Sequence, residues 1–492
     1  MDSPPPQSRS FTRPKRQAEP YAERIIVHDI PPSEIGETID PNLKARRRTL
    51  SSMLGGPWIL ILGFAGIIVI GAILLKLPWA AAPGYTISWS DALFTSTSAV
   101  TVTGLVVVNT AEAFSLFGQV AILILLQVGG VGFIAFSVLL FRIIGRRVTL
   151  QTRFIVQQSL ATNELDNAIK LALYVLGVTL MLEAGGALLL WLRWRTTLPD
   201  GTAAWYAIFH AVSSYCNAGF DLFSGTSYAS LFGYGSDWYS LAVMGILILL
   251  GGFGITVMYD IWTSSGVKTW SLNTRITLVL TAFLTGIGTL VILSDPKFVA
   301  DVLPTASWLE RSAVGLFTMV SARTAGLTLF SLPYLSESTQ LIILFWMFIG
   351  GAPASMAGGV SSSTIGVLIF AVIATARGRA AAVAFGRTLP HETIAKAVAI
   401  MTVSTLLVAT ITVLLALDSD KPIFSTGFEV VSAFANAGYS LDFTAGLSEF
   451  GRFLVAFAMF WGRLGPLTIV VALAQREKPT LIRYPEEPVI LG

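Results

Sequence analysis

The feature that most limits what this chain can fold into is an interruption of its apolar runs that recurs four times. At Thr101-Val102-Thr103-Gly104-Leu105, Cys216-Asn217-Ala218-Gly219-Phe220, Arg323-Thr324-Ala325-Gly326-Leu327 and Ala435-Asn436-Ala437-Gly438-Tyr439, a short polar, glycine-bearing loop stands between long hydrophobic stretches. The glycines at 104, 219, 326 and 438 lie 115, 107 and 112 residues apart, and one motif per near-constant period is the mark of internal duplication. With 54% hydrophobic and 12% charged residues, the chain is too apolar for ordinary soluble domains and belongs in a bilayer.

Around each loop the same unit is predicted: a span, a half-helix leading into the loop, and a second span. A span of about 20 residues suits a hydrocarbon core of about 30 Å. Spans are expected at about 57–75 and 117–141, 169–192 and 239–262, 276–293 and 341–374, and 394–417 and 453–474. The half-helices between them, at 89–100, 203–215, 308–322 and 428–434, are too short to cross. The expected fold is thus an all-α membrane protein of four covalently linked units around a central pore, pseudo-fourfold, with eight transmembrane spans. The units are 57–155, 156–266, 267–380 (with an inserted loop at 350–363) and 381–475, between a mobile cytoplasmic tail 1–56 and a C-terminal tail 476–492.

Basic residues give the orientation. They precede the first span (Lys44, Arg46, Arg47, Arg48), link the units (Arg142, Arg146, Arg147, Arg153; Lys268, Arg275; Arg377, Arg379, Arg387) and follow the last span (Arg476, Lys478, Arg483). The opposite side carries scattered bases such as Lys76, Arg193 and Lys297, several beside acids, so both termini are expected in the cytoplasm of a cell with this protein in its inner membrane. Bases placed this way are orientation signals, not a nucleic-acid surface, and no nucleic-acid partner is expected. The proline-rich first 50 residues meet no apolar core before Trp58, which argues against a cleavable signal peptide. The lone Cys216 excludes an intrachain disulfide, and His28, His210 and His391 lack metal-ligand spacing. The glycine-rich stretches at 127–132 and 251–254 lie in spans with no preceding strand, so they read as close helix packing and not as nucleotide loops. Neither a catalytic triad nor paired carboxylates are evident, and no enzyme activity or cofactor is expected.

Non-helical backbone at membrane depth is tolerated only where protein buries it or water lines it, so four such breaks in register imply a shared aqueous path. Glycine lets the chain visit positive φ and turn successive carbonyls toward one axis, where a ring of them can replace the hydration shell of potassium. The candidate ion-binding residues are therefore Thr101, Val102, Thr103 and Gly104; Asn217, Ala218 and Gly219; Thr324, Ala325 and Gly326; and Asn436, Ala437 and Gly438. Counting five residues back from each glycine gives small side chains (Ala99, Ser214, Ser321, Ala433), and one residue on gives bulky ones (Leu105, Phe220, Leu327, Tyr439). The half-helix C-termini point negative dipole ends at the loops.

The second span of the third unit is unlike its counterparts, because Gly350-Gly351-Ala352-Pro353-Ala354-Ser355-Met356-Ala357-Gly358-Gly359 makes continuous helix costly. A mobile loop there is a natural gate. Arg463, inside the final span, should face the interior and place a positive barrier under the pore, the alternative being a structural ion pair. Glu183, Asp260 and Arg323 are read as structural pairing, and His210 as a satisfied polar residue of its half-helix.

Together the four loops, the Gly350-Gly351 to Gly358-Gly359 insertion and Gly462-Arg463-Leu464-Gly465-Pro466-Leu467-Thr468 resemble the Trk/Ktr/HKT superfamily of potassium transporters, and most closely its Ktr-type membrane subunits. The resemblance covers about 48–476. It implies homodimers with one pore per protomer, potassium selectivity where all four glycines are present, an intramembrane gating loop, control by a cytosolic RCK-type nucleotide-binding subunit, and stimulation by sodium. Sodium-permeable plant relatives often carry serine at the position of Gly104, which this chain does not. Many relatives have a lysine shortly after the second double glycine, where this chain has Val360-Ser361-Ser362. The competing readings are a sodium-permeable or sodium/proton-coupled cation transporter, a secondary transporter built of two inverted halves, and a polytopic membrane enzyme.

Overall fold

The computed structural model describes residues 56–131, 168–226, 237–353 and 355–465, all within one unit, Leu54–Gly492. Both predicted tails, the basic clusters at 44–48, 142–153 and 476–483, and the ends of the second and eighth predicted spans lie outside these residues.

The described chain is helical apart from its loops and one two-stranded antiparallel hairpin, Val383–Ala384 with Arg387–Thr388. In order, the helices are α1 (Gly56–Lys76), α2 (Trp89–Thr101), α3 (Leu116–Val131), α4 (Ala168–Trp194), α5 (Asp200–Tyr215), α6 (Trp238–Thr263) and α7 (Leu272–Ser294). They continue as α8 (Trp308–Ala322), α9 (Glu337–Phe348), α10 (Ser362–Ala376), α11 (His391–Asp418), α12 (Ile423–Ala435) and α13 (Glu449–Leu464). Among the described residues four helices are long and apolar enough to cross a membrane: most of α4 (Tyr174–Trp194), α6, α7 and α11. The outer face of α11 is apolar and bare, with Leu406 62% and Leu417 81% exposed, as suits a lipid contact.

The half-helices α2, α5, α8 and α12 are 13 to 16 residues long, which at about 1.5 Å per residue falls short of a bilayer. Their starts follow from sequence in two alternating ways. Ser88 with Asp91 and Ser307 with Glu310 form capping boxes at α2 and α8, each serine and acid satisfying the other's free amide. Pro199 and Pro422 precede α5 and α12, with φ already set near the helical value. Pro422 also explains why α12 begins at Ile423, five residues before the predicted Phe428.

Packing runs in a cycle. α3 packs on α2 and α5, α6 on α5 and α8, α9 on α8 and α12, and α13 on α12 and α2, so the last helix returns to the first half-helix. Glycines make these approaches close. A β-carbon at Gly129, Gly251 or Gly462 would run into the carbonyl oxygen of Val100, Tyr215 or Phe434, each four residues before a loop glycine. The glycine-rich stretches on α3 and α6 are therefore packing surfaces, as the sequence predicts.

The interruption expected in the third unit is present: α9 ends at Phe348 and α10 begins at Ser362, with a non-helical segment between them. The corresponding helix of the second unit, α6, runs from Trp238 to Thr263 with a kink at Gly254 (φ 70°, ψ 162°), and Gly465 at the end of α13 has φ of 82°. Gly251-Gly252-Phe253-Gly254 bends its helix without ending it, whereas Gly350-Gly351-Ala352-Pro353, with proline and further glycines following, gives way to a loop.

Candidate ion pathway

The four loops meet. Gly104, Gly219, Gly326 and Gly438 all have positive φ, of 86°, 71°, 75° and 76°. A β-carbon on Gly104 would stand 2.6 Å from the Ala218 carbonyl oxygen, and one on Gly326 2.6 Å from that of Ala437. One on Gly219 would collide with the Ala325 oxygen, and one on Gly438 with the Thr103 oxygen, which closes the cycle 104, 219, 326, 438. Each glycine is thus the space into which the next loop's carbonyl fits. The loop residues Thr101, Val102, Thr103, Asn217, Ala218, Thr324, Ala325, Asn436 and Ala437 are all buried. Above the junction the four glycines line a cavity of about 380 Å³ whose wall includes Asp221 and Asp442 and, among the described residues, no lysine or arginine.

The loops are pinned to their half-helices by a register that counting from glycine misses. The carbonyls of Ser98, Ser213, Ser321 and Ser432 accept from the amides of Thr103, Ala218, Ala325 and Ala437 at 2.8 to 2.9 Å. The serine is six residues before glycine in three loops and five in the third, so the set Ala99, Ser214, Ser321, Ala433 mixes two registers. The third loop is one residue shorter, and its Thr324 is not left-handed where Val102, Asn217 and Asn436 are, with φ of 52°, 56° and 51°. A sequence signal was present: each serine follows a phenylalanine by four, at Phe94, Phe209, Phe317 and Phe428. The serine hydroxyls add ties, from Ser98 Oγ to the Gly104 amide at 3.1 Å, and from Ser213 and Ser321 to the carbonyls of Phe220 and Leu327.

The bulky residues after glycine are wedges, as expected: Leu105, Phe220, Leu327 and Tyr439 are at most 1% exposed. The Tyr439 hydroxyl donates to Thr318 O at 2.9 Å, fastening the fourth loop to α8. Across the seam between first and last loops, Asn436 Nδ2 donates to Thr103 Oγ1 at 2.7 Å and to Met459 O at 3.0 Å.

On the other side of the junction lies the segment between α9 and α10. It begins and ends in one bridge, Ile349 with Val360, and leans on the α6 kink, with Ala352 N donating to Gly252 O at 3.0 Å and Met356 N to Gly251 O at 3.2 Å. Gly350 and Gly351 are buried within it; Gly358 abuts the Asn436 side chain and Gly359 the Ala435 backbone, so the segment touches the fourth loop directly. Arg463 reaches it from α13, its guanidinium donating to Met356 O and to the α3 carbonyls of Gly129 and Gly130. Among the described residues no carboxylate pairs with Arg463, and the partners seen there are backbone carbonyls.

The residues read as structural pairs are held, though among the described residues not by opposite charge. Arg323 Nη2 donates to Gly350 O at 3.3 Å. Glu183 accepts from Gln127 Nε2 at 2.9 Å and faces Cys216 Sγ at 3.6 Å. Asp260 takes the Ser271 amide at 2.8 Å and the Thr274 hydroxyl, anchoring the start of α7. His210 has Tyr206 O at 2.7 Å from Nδ1 and the Leu222 amide 3.4 Å from Nε2, the satisfied polar residue expected.

This geometry can be set beside known proteins. A family model described as "TrkH: Cation transport protein" matches residues 65–484. The chain is 34% identical over 444 residues to the "Ktr system potassium uptake protein B" of Vibrio alginolyticus, covering 89% of this chain and 95% of that protein. It is also 34% identical over 439 residues to the "Potassium/sodium uptake protein NtpJ" of Enterococcus hirae, covering 87% and 96%. Its fold is similar to the crystal structure of the potassium transporter TrkH from Vibrio parahaemolyticus, with a TM-score of 0.67 at 20% identity over 87% of this chain and 86% of that one. A match of this extent, to a family of ion transporters and not of enzymes, on a chain with several bilayer-length apolar helices, makes this a multi-pass membrane protein and a member of the TrkH family of cation transport proteins.

Proposed function

We propose that the chain is the membrane subunit of a Ktr-type potassium uptake system, in which ions permeate through the ring of four loops. The observation that carries this reading is the closed cycle of positive-φ glycines, each receiving its neighbour's carbonyl, among buried loop residues. A cation drawn into the outer cavity by Asp221 and Asp442 would shed water against the carbonyls of residues 101–104, 217–219, 324–326 and 436–438. The half-helix C-termini, each carrying about half a negative charge, add to the attraction. Eight spans follow if α1 and α3, α4 and α6, α7 and the α9–α10 pair, and α11 and α13 form four units.

The segment Gly350–Gly359, held by Arg463 and Arg323, is the gate in this reading, and Arg463 the cation beneath the ring. A homodimer and a cytosolic RCK-type nucleotide-binding subunit are the proposed partners. Relatives named as parts of a "Ktr system" support a separate regulatory component. Sodium permeation or activation is the second reading, motivated by the relative named for potassium and sodium uptake. Rescue of a potassium-uptake-deficient bacterium in low potassium, with rubidium and sodium fluxes in proteoliposomes, tests both. No rescue and no rubidium flux, with or without a regulatory partner, would reject the proposal; sodium flux equal to rubidium flux would favour the second reading.

A further inference from the structure

Each half-helix carries a buried polar residue directly after its phenylalanine: Thr95, His210, Thr318 and Glu429, none more than 2% exposed. The carboxylate among them is the least expected at membrane depth. Glu429 is fully buried on α12, nine residues before Gly438, and among the described residues no lysine or arginine pairs with it. A carboxyl group so placed is costly unless hydrogen-bonded. Both of its oxygens are taken, and by the segment that leaves the fourth loop: Ser440 Oγ donates to Oε2 at 2.7 Å and the Thr444 hydroxyl to Oε1. Ser440 Oγ in turn accepts the Phe443 amide at 3.1 Å, so the carboxyl group, two hydroxyls and the main chain form one network. Ser440 and Thr444 line the outer cavity together with Gly438, while Glu429 does not reach it.

The matching position behind the second loop does the same work with different chemistry. His210 Nε2 lies 3.4 Å from the amide of Leu222, three residues past Gly219. The second and fourth loops are opposite one another in the cycle of contacts. Thr95 and Thr318 are too short to reach the segments beyond their own glycines, and the Thr318 hydroxyl turns back to Val314 O.

We propose that Glu429 is a positioning residue that sets ion discrimination, holding the segment beyond Gly438 through the hydroxyls of Ser440 and Thr444 and so fixing the fourth loop's carbonyls in the ring. This rests on the reading of the four loops as the permeation path. The test is the potassium-to-sodium permeability ratio of full-length protein in proteoliposomes, for Glu429→Gln, Ser440→Ala, Thr444→Val and the Glu429→Gln/Ser440→Ala pair, with Gly438→Ser as reference. The network requires the ratio to fall roughly fivefold in each single variant, as for the net loss of one ordinary hydrogen bond, and the pair to fall no further than its larger member. Thermal unfolding of each variant separates this from general loss of structure, and if Glu429→Gln does not assemble, the two cavity-edge variants decide. Ratios within about twofold of the parent, or shifts that multiply in the pair, overturn the proposal while Gly438→Ser still lowers the ratio. If Gly438→Ser leaves the ratio unmoved, the permeation path itself is misassigned and the role of Glu429 falls with it.

Discussion

Replacing Gly104 by serine tests the ring at one of its four seams. The residue has φ of 86°, and a β-carbon there would sit 2.6 Å from the Ala218 oxygen and 2.8 Å from the Gly219 α-carbon, where ordinary contact begins at 3.4 Å. Holding an L-residue left-handed costs about 1–2 kcal/mol, and forcing atoms into a packed site about 1–3 kcal/mol, so the parent geometry is disfavoured by about 2–5 kcal/mol. The obstacle is backbone on both sides and cannot swing aside, so relief comes from the first loop backing out or the second giving way. Either widens the ring on one quarter. If only about 1.4 kcal/mol of this appears as lost preference for potassium, the potassium-to-sodium permeability ratio falls tenfold. The assay is the ratio from paired flux measurements in proteoliposomes, with Gly66→Ser as control, since nothing lies within 4 Å of a β-carbon at Gly66. A folded Gly104→Ser protein with a ratio within about twofold of the parent would refute the steric argument.

Three further outcomes are expected. Arg463→Gln removes the charged donor that joins Met356 in the α9–α10 segment to Gly129 and Gly130 of α3, bonds of about 1.5–3 kcal/mol each; basal flux without a partner should rise several-fold, and flux equal to the parent's in a protein of normal stability would end the gate assignment. Arg452 and Asp91 form a 2.7 Å pair joining α13 to α2, with side chains 21% and 14% exposed, so a double-mutant cycle on thermal unfolding should give a coupling of about 1 kcal/mol; additive losses would mean the pair contributes nothing. Burial alone would raise the Asp295 carboxyl, but bonds from Thr339, Ser336 and the Lys297 amide outweigh it and hold it below the usual aspartate value. Its folded value therefore lies under the unfolded one, so its contribution is full above about pH 4 and is lost as pH falls through the folded value; Asp295→Asn should flatten this acid limb of the unfolding midpoint, and an unchanged limb would contradict the assignment.

Much of the scaffold was legible because membranes permit so little. Apolar length and a recurring glycine placed α1, α4, α7 and α11 to within about four residues, since lipid leaves backbone no choice but helix. The loop glycines were readable for the same reason: only glycine fits a left-handed turn facing another backbone. What was not legible depended on contacts between units. That Asn436 reaches Thr103, that Arg463 is satisfied by carbonyls, and that Glu183 lies against Gln127 and Cys216 are relations between residues far apart in sequence, with no local pattern to announce them. The shorter third loop misled for a different reason. Alignment on its most visible residue absorbed a deletion that alignment on Phe317 and Ser321 exposes.

The seam between the first and last loops also bears on how the molecule is made. Asn436 and Thr103 are 333 residues apart, Arg463 and Gly130 also 333, and Arg452 and Asp91 361. During synthesis the first three loops must wait in the membrane, their carbonyls facing an unfilled quarter, until nearly the whole chain has emerged. Closure is thus among the last steps of folding and one of very high sequence separation. A chain cut short before α12 would hold no complete ring.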